Sequence, residues 1–229
     1  MKSGSIVALG TILISLLLRV WNPVEVAPVS AGYLDNSLDS HSYFQAAPEA
    51  ITFFADGSAT KEDMAACKVG IEEALNRLPL KIASELKVTV LNFDRSDPRG
   101  LADSSRIILR CDKPQPERLR VFIHEMGHVA YFNTEQTIRD EFGSLFENSF
   151  HDSDFVSGYA KENEFEDFAE SFLAFVEFGA SFRNVAADNE MLAAKYEFIE
   201  KYFLTDRVYQ GITAALEGEN RVFDLTKAL

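Results

Sequence analysis

Cysteine is scarce in this chain of 229 residues, occurring only as Cys67 and Cys111. Two thiols are too few for a Cys-based zinc knuckle. Basic runs are missing as well. Lys and Arg total 22 against 36 Asp and Glu, for a net charge of −14 and a pI near 4.7. A polyanion would be repelled, because neutralising a phosphate backbone needs clustered Lys and Arg, so nucleic acid is excluded as a partner. Solubility accounts for the acidity. Histidine occurs four times, and internal repeats are absent. What the chain does have is apolar mass: 47% of its residues, 19 of them Phe. That excludes global disorder and supplies a core for one domain of ordinary size, with room for a short accessory unit.

The apolar run Ile6–Leu18 (IVALGTILISLLL) follows Lys2 and precedes the small residues Val29-Ser30-Ala31. A charged start, an apolar stretch and a cleavage-like site form the pattern of a signal peptide over residues 1–31. The run falls short of the roughly 20 residues of a relaxed membrane span. Arg19 and Trp21 follow it at once, however, and the gap to Ala31 is long, so an uncleaved membrane anchor is the alternative. Either reading makes the remainder secreted or extracytoplasmic, held to the membrane through residues 6–18 in the second case. Export also places Cys67 and Cys111 in an oxidising compartment, where a disulfide between them is expected; two buried thiols are the alternative.

Residues 22–50, rich in Pro, Ser, Ala and Asp, lack helical or strand periodicity, and residues 32–50 read as a flexible tether. The domain is expected over residues 51–229. It opens with a strand at Ile51–Phe54, closed by the turn signal Asp56-Gly57. Thr60, with Asp63 three residues on, marks a helix start, and apolar positions 64, 67, 71, 74, 75 and 78 carry that helix to Pro79. Lys87–Phe93 and Arg106–Cys111 read as strands, with a loop or weak edge segment between them. After Pro114 and Pro116 the pattern turns helical: residues 117–132, then 135–149, 163–178, 189–203 and 205–217. This order predicts an α+β fold, a small sheet under a helical second half.

Within the helix of residues 117–132 lies VFIHEMGHVAYF. His124 and His128 stand one turn apart on one side, so both face one ion. Glu125 sits about 100° round the helix, near enough to reach a water at that ion without ligating it. This is the mechanical content of H-E-x-x-H: two neutral ligands, an open coordination position and a base. Gly127 costs roughly 1 kcal/mol in a helix interior and calls for a packing or functional reason. The competing reading is a pair of hydrogen-bonded core histidines.

A metzincin would continue H-x-x-G-x-x-H, but positions 131 and 134 are Tyr and Thr, which excludes that subclass. The remaining common third ligand is a Glu on a second helix. In YAKENEFEDFAESF (Tyr159–Phe172), Phe165, Phe168, Ala169, Phe172 and Val176 form a stripe, with Glu166 and Glu170 together on its flank. Such a pair suits a ligand plus a carboxylate that orients a ligating histidine. Taken alone, Asn163 and Glu166 also match a helix cap with a solvated Glu pair. With H-E-x-x-H upstream, Glu166 is the favoured third ligand. His151 reads as a surface histidine, and Asp152 and Asp154 as weak candidates for calcium.

Taken together, HEMGH and YAKENEFEDFAE resemble the catalytic domain of anthrax lethal factor and its relatives, the secreted Pro-Pro endopeptidases. In that family a Tyr stands seven residues before the zinc-binding Glu, and F-A-E follows; Tyr159, Glu166 and Phe168-Ala169-Glu170 keep that spacing. The resemblance covers residues 120–131 and 158–173. It implies zinc bound by His124, His128 and Glu166, with Glu125 as base. Tyr159 would donate a hydrogen bond to the oxyanion or to the water, and Glu170 would support a ligand. Proline-directed cleavage is not implied, since the cleft residues are not matched. The expected protein is thus an exported zinc metallopeptidase of the gluzincin type with a zincin-like fold, acting on a protein or peptide. A zinc-binding interaction module without turnover is the alternative.

Overall fold

The computed structural model describes residues 24–25, 51–55, 59–93 and 98–203. The expected export segment and tether (apart from Val24–Glu25), the Asp56-Gly57 turn and the helix of residues 205–217 lie outside them. Val24–Glu25, assigned from sequence to the region before the domain, is a two-residue strand, β1, antiparallel to β2 (Thr52–Ala55).

Helix α1 (Lys61–Leu75) begins where Thr60 caps it: the Thr60 hydroxyl and Asp63 exchange bonds with each other's backbone N–H, a reciprocal capping box. The helix stops at Leu75, short of the Pro79 expected from its apolar positions, and Pro79 instead starts a single turn, α2 (Leu80–Ala83), which the sequence left unassigned. Strands β3 (Val88–Asn92), β4 (Gly100–Ala102) and β5 (Arg106–Arg110) complete a sheet of order β1-β2-β3-β5-β4 among the described residues. β2, β3 and β5 run parallel, while β4 runs antiparallel to β5 at the sheet edge. The segment read as a loop or weak edge is therefore a short edge strand. Helices α3 (Gln115–Phe132), α4 (Gln136–Glu147), α5 (Glu164–Ala186) and α6 (Glu190–Tyr202) follow, with 3-10 turns at Asp152–Asp154 and Tyr159–Lys161. The class is α+β, with a small mixed sheet. No helix of the described residues is long and apolar enough to cross a membrane.

Side chains of α3 and α5 dominate the core: Phe122, Ile123, Met126, Val129, Phe168 and Phe172 are shut off from solvent. Phe165, expected in the buried stripe, is instead 42% exposed, because it belongs to the first turn of α5 at the rim of that core. The end expected for this helix at residue 178 coincides with a break: Phe178 leaves helical geometry and the chain then resumes. Cys67 of α1 and Cys111, just past β5, form a disulfide with Cα atoms 5.8 Å apart. Arg77 clamps Glu73 of α1 to Glu177 of α5. Lys195 of α6 and Asp167 of α5 form a wholly buried pair at 2.7 Å, and the same ammonium donates to the Asp154 carbonyl. Burial draws the Lys195 ammonium down and lifts the Asp167 carboxyl to about 6.

Glu85 lines a cavity of about 230 Å³ beside α2 and the ends of α3 and α6. Burial raises its carboxyl from 4.5 to about 7, opposed by the charge of Lys81. The folded protein thus holds this proton more tightly than the unfolded chain does. Its stabilising share is complete below about pH 4.5 and is lost as pH rises through about 7. Glu85→Gln is expected to leave the thermal midpoint unchanged near pH 4.5 and to raise it by a few degrees at pH 8. Calorimetry at the two pH values checks this; equal effects at both would contradict it.

Candidate metal centre

Helix α3 is where polar groups enter the core. His124, Glu125 and His128 are buried on a helix otherwise packed with apolar side chains. The partner helix starts where Asn163 caps it, its Oδ1 accepting from the N–H groups of Phe165 and Glu166, each at 3.0 Å. This cap frees the Glu166 side chain from local duty. Its Oε2 lies 3.1 Å from His124 Nε2 and 3.3 Å from His128 Nε2. One turn on, Glu170 Oε1 accepts from His124 Nδ1 at 2.8 Å and fixes that imidazole in place.

Gly127 is the reason the two helices come close enough. A Cβ there would stand 3.0 Å from Ala169 Cα and 3.3 Å from Phe172 Cβ, so any side chain pushes α5 away. The glycine that looked costly in sequence is thus explained by packing. Gly100 makes a second close approach. A Cβ on this residue of β4 would collide with the Glu125 carboxylate and Cγ, so the base candidate lies directly against the edge strand.

Electrostatics follow from this crowding. Burial pulls the His124 imidazole down, but hydrogen bonds to Glu166 and Glu170 win and lift it to about 9. Burial pushes Glu166 up, and its bonds to the two histidines override this, holding it well below the usual carboxylate range. The Glu125 carboxyl is raised, chiefly by burial, with the histidine charges opposing. A centre that gathers three carboxylates around two imidazoles favours positive charge.

The donor set fits a metal ion. His124, His128 and Glu166 each offer a ligand atom, all within 4.8 Å of one another, and among the described residues they form the one such group found. Bonds of about 2.0–2.2 Å at a tetrahedral ion set ligand atoms about 3.4 Å apart. The two separations from Glu166 match that spacing. His128 Nδ1, by contrast, is buried without a hydrogen-bond partner, so only His124 has its ring oriented by a carboxylate.

Tyr159 stands beside this group, its ring 5.8 Å from that of His124 and 45% exposed. Burial, then the charge and hydrogen bond of Glu166, raise its hydroxyl to about 12. Phe132 stacks on His128 at 6.0 Å. Tyr131, which breaks the metzincin pattern, is core: its hydroxyl reaches Glu164 Oε1 at 3.2 Å. His151 is exposed. Asp154 caps its own turn by accepting from the Phe150 and His151 N–H groups, while Asp152 pairs with Lys161 at 2.8 Å. These two carboxylates have separate tasks and do not converge as a calcium site. Sequence reasoning missed Gly100 and the Asp167–Lys195 pair. No protein-family model matches the chain, and no curated protein matches it.

Glu170→Ala is expected to lower metal affinity by about 10–100-fold and Glu166→Ala by more, read by competition with a chromophoric chelator. Equal affinity in both variants and the parent would show that the centre does not bind metal. Gly127→Ala should cost about 1–3 kcal/mol in urea unfolding despite alanine's better helix propensity, because the added methyl meets backbone.

Proposed function

We propose that this chain is an exported zinc-dependent endopeptidase of the gluzincin type, with a zincin-like fold akin to that of the lethal factor and Pro-Pro endopeptidase group. The observation that carries the reading is Glu166. From a helix distant in sequence it reaches both histidines of the H-E-x-x-H turn, while Glu170 orients one of them. The disulfide supports export, since such bonds persist in oxidising compartments.

Zinc held by His124, His128 and Glu166 would supply Lewis acidity, polarising the scissile carbonyl and bringing a water's pKa toward about 7. Glu125 accepts the proton of the attacking water as its oxygen bonds to the carbonyl carbon. It then delivers that proton to the leaving amine nitrogen as the C–N bond breaks. Tyr159, whose hydroxyl is protonated at neutral pH as in any ordinary tyrosine, donates to the developing oxyanion. A peptide substrate adds as an extended strand to β4, since β3 is flanked on both sides by other strands and β4 stands at the sheet edge.

Purified protein is expected to carry about one zinc per chain by elemental analysis. Glu125→Gln should keep the zinc and lose about 10²–10⁴-fold in peptide cleavage. Full activity in that variant would overturn the mechanism. Zinc retention by the parent with no cleavage of a broad peptide library would mark an interaction module instead.

A further inference from the structure

We infer that Gly100 is a positioning residue for Glu125. Its missing side chain lets the edge strand lie directly on the carboxylate, confining that carboxylate between β4 and α3. This inference rests on the peptidase reading for its kinetic consequence, though not for its geometry.

Gly100 is the first residue of β4 and pairs with Leu109 of β5, so its backbone is fixed by the sheet. Glu125 projects from α3 toward it and is 5% exposed. The three atoms nearest a Cβ built on Gly100 are Oε1, Cδ and Cγ of Glu125, all in one side chain and all close enough to overlap it. Such an overlap does not break the fold. It is relieved by moving the end of Glu125, because a side chain rotates more cheaply than a paired strand shifts. None of these three nearest atoms belongs to the metal-ligand candidates His124, His128 and Glu166, so the displacement falls first on Glu125. Leu101, the next residue, is 56% exposed, as expected where an edge strand faces incoming substrate. The strand that would dock the peptide and the surface that seats the proton acceptor are therefore one three-residue segment.

The test is Gly100→Ala in the full, zinc-loaded protein. Zinc affinity is expected to stay within about threefold of the parent, and thermal midpoint to change little. Turnover should fall about 100-fold with KM altered less than about threefold, the signature of a misplaced reacting group rather than lost substrate docking. Added to Glu125→Gln, Gly100→Ala should cost nothing further, since both act on one group. A crystal structure of zinc-loaded Gly100→Ala should show the Glu125 carboxylate displaced by about 1 Å or more, with the three ligands in place. An unmoved carboxylate, unchanged turnover, or a full extra loss on top of Glu125→Gln would each overturn the inference. Should the parent prove inactive, the peptidase reading fails, while the crystal structure still decides whether Gly100 seats Glu125.

Discussion

The contact between α3 and α5 at Gly127 is the constraint from which the rest follows. Helix axes separated by ordinary side chains would leave Glu166 short of the histidines. Because the backbone of Ala169 and the first carbon of Phe172 come up against Gly127, a carboxylate on one helix meets two imidazoles on the other. The glycine's propensity cost is local, and the gain is the burial of Phe122, Met126, Phe168 and Phe172 along the same seam. One small residue thus sets both the packing of the largest core contact and the geometry of the polar centre within it.

Helix α5 carries five carboxylates: Glu164 accepts from the Tyr131 hydroxyl, and the other four face imidazole or cationic groups. Glu166 meets His124 and His128, Asp167 meets Lys195 of α6, Glu170 meets His124 from the other side, and Glu177 meets Arg77 after α1. Buried charge pairs of this kind add little net stability over apolar packing, but breaking one leaves an uncompensated charge. Rotation of α5 by one residue would break all four. The helix is held in register by this set of matches, and Glu166 inherits its aim from them.

Much of this was legible in sequence because it is local. Thr60 with Asp63, the proline before α3 and Asn163 before α5 each act within one helical turn, so their meaning survives without tertiary information. The H-E-x-x-H spacing is local too, and the separation from Tyr159 to Glu166 spans little more than a turn and a cap. What was illegible depends on distance in the chain. Nothing near Gly100 announces Glu125, and nothing near Lys195 announces Asp167. Phe165 looked buried because periodicity assigns a face but not the place where a core ends. β4, three residues long, has too few positions for alternation to register.

The disulfide closes a covalent ring over the segment between Cys67 and Cys111, whose separation is 44 residues. That ring holds α2, β3, β4 and β5, and with them the strand that lies against Glu125. In chain-entropy terms, closing a loop of this size disfavours the unfolded ensemble by about 4 kcal/mol, a large share of a typical domain's stability. Most of the sheet is thus cross-linked while the helices bearing the histidines and Glu166 lie beyond the ring. Reduction would lower the stability of the whole domain by returning that entropy to the unfolded chain, and the segment it releases is the one that frames Glu125. Redox state and the framing of Glu125 are in this way linked by chain topology, although neither cysteine belongs to the His124, His128 and Glu166 group.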